Sequence, residues 1–130
     1  MLSMPADRMA PKRVLIVDDS RLARMMLRKA LPPSLATEVV EAATGSEAIR
    51  CVESSRVDLM FLDLTMPDRD GYQVLQILQD AGQTPPTIVV SADVQTLAAD
   101  RVLKLGALAF LKKSVKPEEL TDVLQRAGLL

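Results

Sequence analysis

The chain has no histidine and no tryptophan, one cysteine, and only three aromatic side chains, Phe61, Tyr72 and Phe110. Without histidine, Ser-His-Asp and Cys-His catalysis and imidazole metal sites are excluded. Any metal ion must then be a hard cation held by oxygen atoms. The lone Cys51 rules out a disulfide framework and thiolate clusters. Set between Arg50 and Val52 in a helical pattern, it reads as a small packing residue. So few aromatics give no base-stacking platform, and a net charge of -1 with a pI near 5.4 leaves no electrostatic footprint for nucleic acid. No apolar run approaches the roughly 18 residues of a membrane span. Residues 1–13 are polar and proline-punctuated, without the apolar core of a secretory signal. The expectation is a cytoplasmic protein that engages neither nucleic acid nor membrane.

What is present is a single domain's worth of core. A chain of 130 residues buries roughly two-thirds of its unfolded surface, and 48% hydrophobic with 25% charged residues is ordinary globular composition. Residues 1–12 read as a flexible leader and 13–130 as the folded domain. Four apolar runs stand out: 14–17, 58–62, 87–91 and 107–111. They are too apolar to have a wet face, as in strands of a parallel sheet. A fifth strand at 38–42 has mixed polarity and suits a sheet edge. Helical patterns fill the intervals at about 21–31, 46–54, 71–81, 95–105 and 117–127, stopped by Pro32-Pro33, Gly82 with Pro85-Pro86, and Gly106. In the first helix Leu22, Ala23, Met26, Leu27, Ala30 and Leu31 share one side, with Arg21, Arg24, Arg28 and Lys29 mostly on the other. Ser20 or Asp19 is placed to cap it. Five strands alternating with five helices predict a flavodoxin-like α/β three-layer sandwich with a parallel sheet in the order 2-1-3-4-5.

The apolar runs end in chemistry. The first ends in Asp18 and Asp19, the third strand in Asp63, the fourth in Ser91 and the fifth in Lys113. In the 2-1-3-4-5 order these ends converge on one rim, at the switch point between strands one and three. Taken singly, Asp18-Asp19-Ser20 is a helix cap, Asp63 a turn residue, Ser91 a small strand-end residue and Lys113 a solvated cation. Four strands ending in complementary oxygen and amine groups are hard to assign to capping. Three carboxylates in close quarters repel unless a cation neutralises them, which points to Mg2+, with Mn2+ as the alternative. A metal, a carboxylate, a hydroxyl and a lysine together suit phosphoryl chemistry. Asp63 would be the nucleophile, Lys113 would neutralise phosphoryl oxygens, and the Ser91 hydroxyl would donate to one of them.

The segments VLIVDDS (14–20), DLMFLDLTMPDRDG (58–71), IVVSA (88–92) and GALAFLKK (106–113) resemble a response-regulator receiver domain of two-component signalling, over roughly residues 12 to 128. Within that family the chain resembles the stand-alone chemotaxis-type regulators. The resemblance implies a phosphorylation-activated switch, not an enzyme beyond self-phosphorylation and self-dephosphorylation. Asp63 would accept a phosphoryl group from a sensor histidine kinase, a His phosphotransfer protein or a small acyl phosphate. Asp19, Asp63 and the Thr65 backbone carbonyl would hold Mg2+, with Asp18 acting directly or through water. Ser91 and Lys113 would read the phosphoryl group, and the small Ala92 would leave it room. Phe110 would be the switch aromatic on the fifth strand. The relay would pass through the face of helix four, strand five and helix five, where Gln95, Thr96, Asp100, Arg101 and Lys104 offer partner contacts. The downstream target is a protein, and the chain is expected as a monomer, with a dimer on phosphorylation as the alternative.

Three positions depart from the family pattern. Phe110 stands where tyrosine is commoner, so a readout through a phenolic hydroxyl is absent. Ser114 stands where proline usually follows the lysine, which leaves a cis Lys113–Ser114 bond or a rearranged trans loop. Asp93 puts a carboxylate near the path of hydrolytic water. Two other functions compete. A small acyl-phosphate phosphatase or phosphotransferase would use Asp63 as nucleophile, but such enzymes usually carry a second carboxylate two residues on, where this chain has Thr65. A pseudo-receiver would bind partners without being phosphorylated, against which stands the complete acidic, serine and lysine set.

Overall fold

The computed structural model describes residues 11–35, 38–92 and 97–130. Residues 1–10 of the expected leader, and Asp93, Gln95 and Thr96, lie outside the described residues. Among the described residues the order is β1 (Arg13–Val17), α1 (Arg21–Ala30), a 3-10 turn (Pro33–Leu35), β2 (Glu38–Ala42), α2 (Gly45–Ser54), β3 (Leu59–Leu62), α3 (Gly71–Asp80), β4 (Thr87–Ser91), α4 (Ala98–Lys104), β5 (Ala109–Lys112) and α5 (Pro117–Arg126). All the strand pairs are parallel, and the sheet runs β2-β1-β3-β4-β5, the predicted order.

The alternation of side chains along each strand splits the interior into two layers. Leu15, Val17, Met60, Leu62 and Val89 face one way and pack with Val74, Leu75 and Leu78 of α3, Ala48 of α2 and Val102 of α4. Val14, Ile16, Leu59, Phe61, Ile88 and Val90 face the other way, against Ala30 of α1 and Leu120 and Leu124 of α5. β2, at the edge, is only partly covered. Cys51 packs against the first layer, as a small core-side residue.

Three local expectations need correction. The first helix does not bury its whole predicted side. Leu27, Ala30 and Leu31 pack into the core layer, but Leu22 and Met26 are exposed, and so is Met25. The apolar packing of the helix against the sheet is made by its second half. The fifth strand begins at Ala109 rather than 107. Gly106, with φ +102, closes α4 by turning the chain so that Gly106 N–H bonds the Leu103 carbonyl and Ala107 N–H bonds that of Val102. That turn uses up residues the apolar run had assigned to the strand. In α4 the described helical residues are 98–104, shorter than the periodicity suggested.

Candidate functional site

The sheet ladder itself delivers two carboxylates to one place. Beyond the last residue of β1, Asp18 N–H donates to the Ala42 carbonyl at 3.1 Å, and beyond the last residue of β3, Asp63 N–H donates to the Val17 carbonyl at 3.0 Å. Both strands are pinned by buried apolar side chains, so both aspartates leave the core side by side and remain nearly buried themselves. Asp19 follows on the exposed side. One carboxylate oxygen from each of Asp18, Asp19 and Asp63 lies within 4.8 Å of the others.

Each is fixed locally. Asp18 Oδ1 accepts from Ser20 N–H at 2.9 Å, and the Ser20 hydroxyl accepts from Ala23 N–H, so Ser20 is the cap of α1. Asp63 Oδ1 accepts from Leu64 N–H at 2.9 Å, and Thr65 N–H also bonds this carboxylate. The turn after β3 is closed by Gly71 N–H on the Leu64 carbonyl. Further along the same rim Lys113 N–H donates to the Ser91 carbonyl, extending the β4–β5 ladder past its last strand residue. That places the Lys113 ammonium 2.6 Å from Asp18 Oδ2 and 3.5 Å from Asp63 Oδ2. The Lys113–Ser114 peptide is cis. A cavity of about 110 Å3 adjoins this cluster, lined by Asp18, Asp63 and Lys113 together with apolar groups including Met26, Phe61, Val90 and Val115.

The electrostatics follow from the count of charges. Burial pushes the Asp63 carboxyl above the usual range, and the neighbouring Asp18 charge adds to the push, outweighing Lys113 and the two amide N–H groups. Burial alone would lower the Lys113 ammonium, but the Asp18 and Asp63 carboxylates overcome it and hold it above its ordinary value. One ammonium against three carboxylates leaves the cluster short of positive charge. The donor set, all carboxylate oxygen and partly shielded from water, fits a hard divalent cation such as Mg2+.

The remaining expected residues fall around this centre. Ser91 closes β4 and is fully buried, with Ala92 exposed after it. Thr65 is exposed in the turn beside Asp63. Phe110 pairs with Val89 across β4–β5 and is half-buried against the α3–α4 layer. Asp100, Arg101 and Lys104 are exposed on α4, and the Arg101 guanidinium lies 3.7 Å over the ring of Tyr72 on α3.

Two contributors escaped the sequence reading. Asp68 bonds Gly45 N–H at 3.0 Å and Ser46 N–H at 3.1 Å, tying the turn after β3 to the start of α2. Arg24, expected on the solvent side, turns inward to Asp18 and Glu41. A third feature was legible but not read: Asp70 and Gln73 form a reciprocal capping box that starts α3, and Asp-x-x-Gln before an apolar run is its signature.

A doubly wound parallel sheet with an acidic cluster and a lysine on its carboxyl rim is an arrangement suited to metal-assisted phosphoryl chemistry. The sequence matches the response regulator receiver domain over residues 14–125, and the chain belongs to that family, the phosphorylation-dependent switches of two-component signalling. It is 30% identical over 117 residues to the chemotaxis protein CheY of Thermotoga maritima, covering 90% of this chain and 98% of that one. It is 40% identical over 117 residues to a protein-glutamate methylesterase/protein-glutamine glutaminase of Koribacter versatilis. There the match covers 88% of this chain but only 32% of the relative, about a third of its length. Among solved structures, a chain of the CheX–CheY–BeF3–Mg2+ complex of Borrelia burgdorferi superposes with a TM-score of 0.82 at 27% identity, over 93% of this chain and 92% of that one. Receiver domains bind Mg2+ through acidic residues, and three such residues are gathered here. No helix among the described residues is long and apolar enough to cross a membrane.

Proposed function

We propose that Asp63 is the phosphoacceptor of this receiver domain, that Asp18, Asp19, Asp63 and the Thr65 carbonyl hold Mg2+, and that the donor is a phosphohistidine on a sensor kinase or His phosphotransfer protein. The observation that carries this reading is the Lys113 ammonium held between Asp18 and Asp63 inside a three-carboxylate cluster. In the transfer an Asp63 oxygen attacks phosphorus. The new O–P bond forms as the P–N bond to the donor imidazole breaks, and the electron pair of that bond returns to the ring. A bound Mg2+ supplies positive charge against the phosphoryl oxygens. Lys113 exchanges its carboxylate partners for a phosphoryl oxygen, and Ser91 donates its hydroxyl to another. Ala92 is small enough to leave the approach open.

Phosphorylation adds about -1.5 to -2 charges at the rim. Ser91 and Ala92 are drawn toward that charge, which shifts the population toward a second packing of α4, β5 and α5, with Phe110 repacking on β5. Asp100, Arg101 and Lys104, flanked by the exposed side chains of Leu97, Leu103 and Leu108, support this face as the one read by a downstream protein. The free Cys51 thiol suits the reducing cytoplasm.

The test is to incubate the chain with Mg2+ and acetyl phosphate and follow the intact mass, beside Asp63→Asn. A single long-lived phosphoryl adduct on the wild type, lost in the variant, is expected. Rapid multiple turnover of the donor would indicate a phosphatase, and an unmodified wild type that also ignores beryllofluoride would indicate a pseudo-receiver.

A further inference from the structure

Arg24 belongs to the basic side of α1 by sequence, yet its side chain is only 13% exposed. Its Nη1 donates to the Asp18 backbone carbonyl at 2.6 Å, and its Nε donates to Glu41 Oε1 at 2.6 Å. Glu41 sits on β2 opposite Ile16 of β1, one register step before the pair Val17 and Ala42. The Ala42 carbonyl in turn receives the Asp18 N–H. Asp18 is therefore gripped twice through its backbone, by β2 at its N–H and by Arg24 at its carbonyl. That carbonyl belongs to the peptide linking Asp18 to Asp19. A rotation of this peptide would swing the two carboxylates relative to each other and to Asp63, so its orientation sets the spacing of the acidic cluster. The bonds from Arg24 are charge-assisted or short, and the planar guanidinium spans its two acceptors in a fixed geometry. Glu41 is itself held ionised, first by Arg24 and also by Arg28.

We propose that Arg24 is a positioning residue for the acidic site: clasped by Glu41, it fixes the Asp18–Asp19 peptide and so presets the carboxylates for a divalent cation. This rests on the reading that Asp18, Asp19 and Asp63 hold such an ion. Arg28 provides an internal control, because it bonds the other Glu41 oxygen at 2.9 Å but reaches outward and is 52% exposed.

The experiment is a calorimetric Mg2+ titration of the full chain for wild type, Arg24→Ala, Arg24→Lys, Arg28→Ala and Glu41→Gln. It is paired with amide 1H–15N spectra of the metal-free proteins. Arg24→Ala should weaken Mg2+ binding about ten-fold, as loss of an outer-shell partner does, and should shift the Asp18 and Asp19 amides before any metal is added. Arg24→Lys should recover part of the affinity, and Arg28→Ala should bind as the wild type does. Glu41→Gln, which keeps Arg24 but removes its charged clasp, should lie between; it also carries the test should Arg24→Ala fail to fold. Unchanged affinity in both Arg24→Ala and Glu41→Gln, or an equal loss in Arg28→Ala, would overturn the inference. A wild type that does not bind Mg2+ would instead overturn the metal reading, and this inference with it.

Discussion

At Gly71 a single methyl group would reach the acidic site. A Cβ there would collide with the Asp63 carbonyl oxygen and come within 2.9 Å of the Leu64 Cα, both backbone atoms that cannot step aside as a side-chain tip can. Gly71→Ala should therefore cost about 1–3 kcal/mol in a urea unfolding experiment, the range for inserted volume in a packed interior. It should also weaken Mg2+ binding, because the atoms displaced adjoin Asp63. A variant as stable as wild type would show that the turn relaxes freely. The residues legible in the sequence are those that end buried strands. Asp18, Asp63 and Lys113 follow apolar runs whose side chains have one place to go, so their location followed from the strand order. Arg24 and Asp68 were illegible for the opposite reason. Glu41, the side chain that clasps Arg24, lies 17 residues away, and the α2 amides that Asp68 bonds lie 22–23 residues away, across contacts that depend on strand register and on the path of a loop. A lone arginine in a basic helix face, or a lone aspartate in a turn, carries no local trace of such a partner.

Among the elements, the turn from β3 to α3 is tied at both its middle and its end. Its middle is bonded to α2 by Asp68 and its end is started by the Asp70–Gln73 capping box. Hydrogen bonds from the Ser46 side chain and from the Arg69, Ser46 and Gly45 amides hold the Asp68 carboxyl far below the usual carboxylate range. A carboxyl depressed in the folded chain contributes stability that is present above its unfolded value and lost as pH falls toward the folded one. Asp68→Ala should therefore be less stable than wild type at pH 7, and the gap should narrow as the pH drops below about 4; urea midpoints at the two ends of that range measure it. A gap that stays constant would mean Asp68 acts through something other than its charge. α4 presents the contrasting case. It is seven residues long, has no side-chain cap hydrogen bond at its start, and is tied to α3 by Arg101 over Tyr72. Arg101→Ala should raise amide hydrogen exchange in α4 while leaving α3 protected, as expected of a helix drawn from the low-stability end of the fold. The element boundaries that the sequence misplaced share one cause. At Gly106 a helix-ending turn set the boundary, and along the first half of α1 the limit of coverage by neighbouring elements set the burial; neither is written in the periodicity.

For the molecule as a whole, the sheet separates two apolar layers that do not share side chains. Leu75 belongs to one and Leu120 to the other, each fully buried. Truncating either to alanine should cost about 2–5 kcal/mol, and the double variant should cost their sum to within about 0.5 kcal/mol, because the two cavities open on opposite faces of a rigid sheet. Clear non-additivity in denaturant titrations would mean that the sheet transmits strain between its faces. Fold class and strand order were readable at this scale because apolar runs, their spacing and the turn residues between them all point to one topology. The Lys113–Asp18 pair, finally, would make the two proposed binding events interdependent. While the ammonium occupies Asp18, that carboxylate is a poorer ligand for anything else; on the proposed reading, a phosphoryl group that drew the lysine away would free it for a cation. By thermodynamic reciprocity the cation must then favour the phosphoryl group by the same factor. In the proposed cycle the lysine thus acts as an exchangeable counter-ion that couples metal occupancy to signal state, within a single side chain's reach.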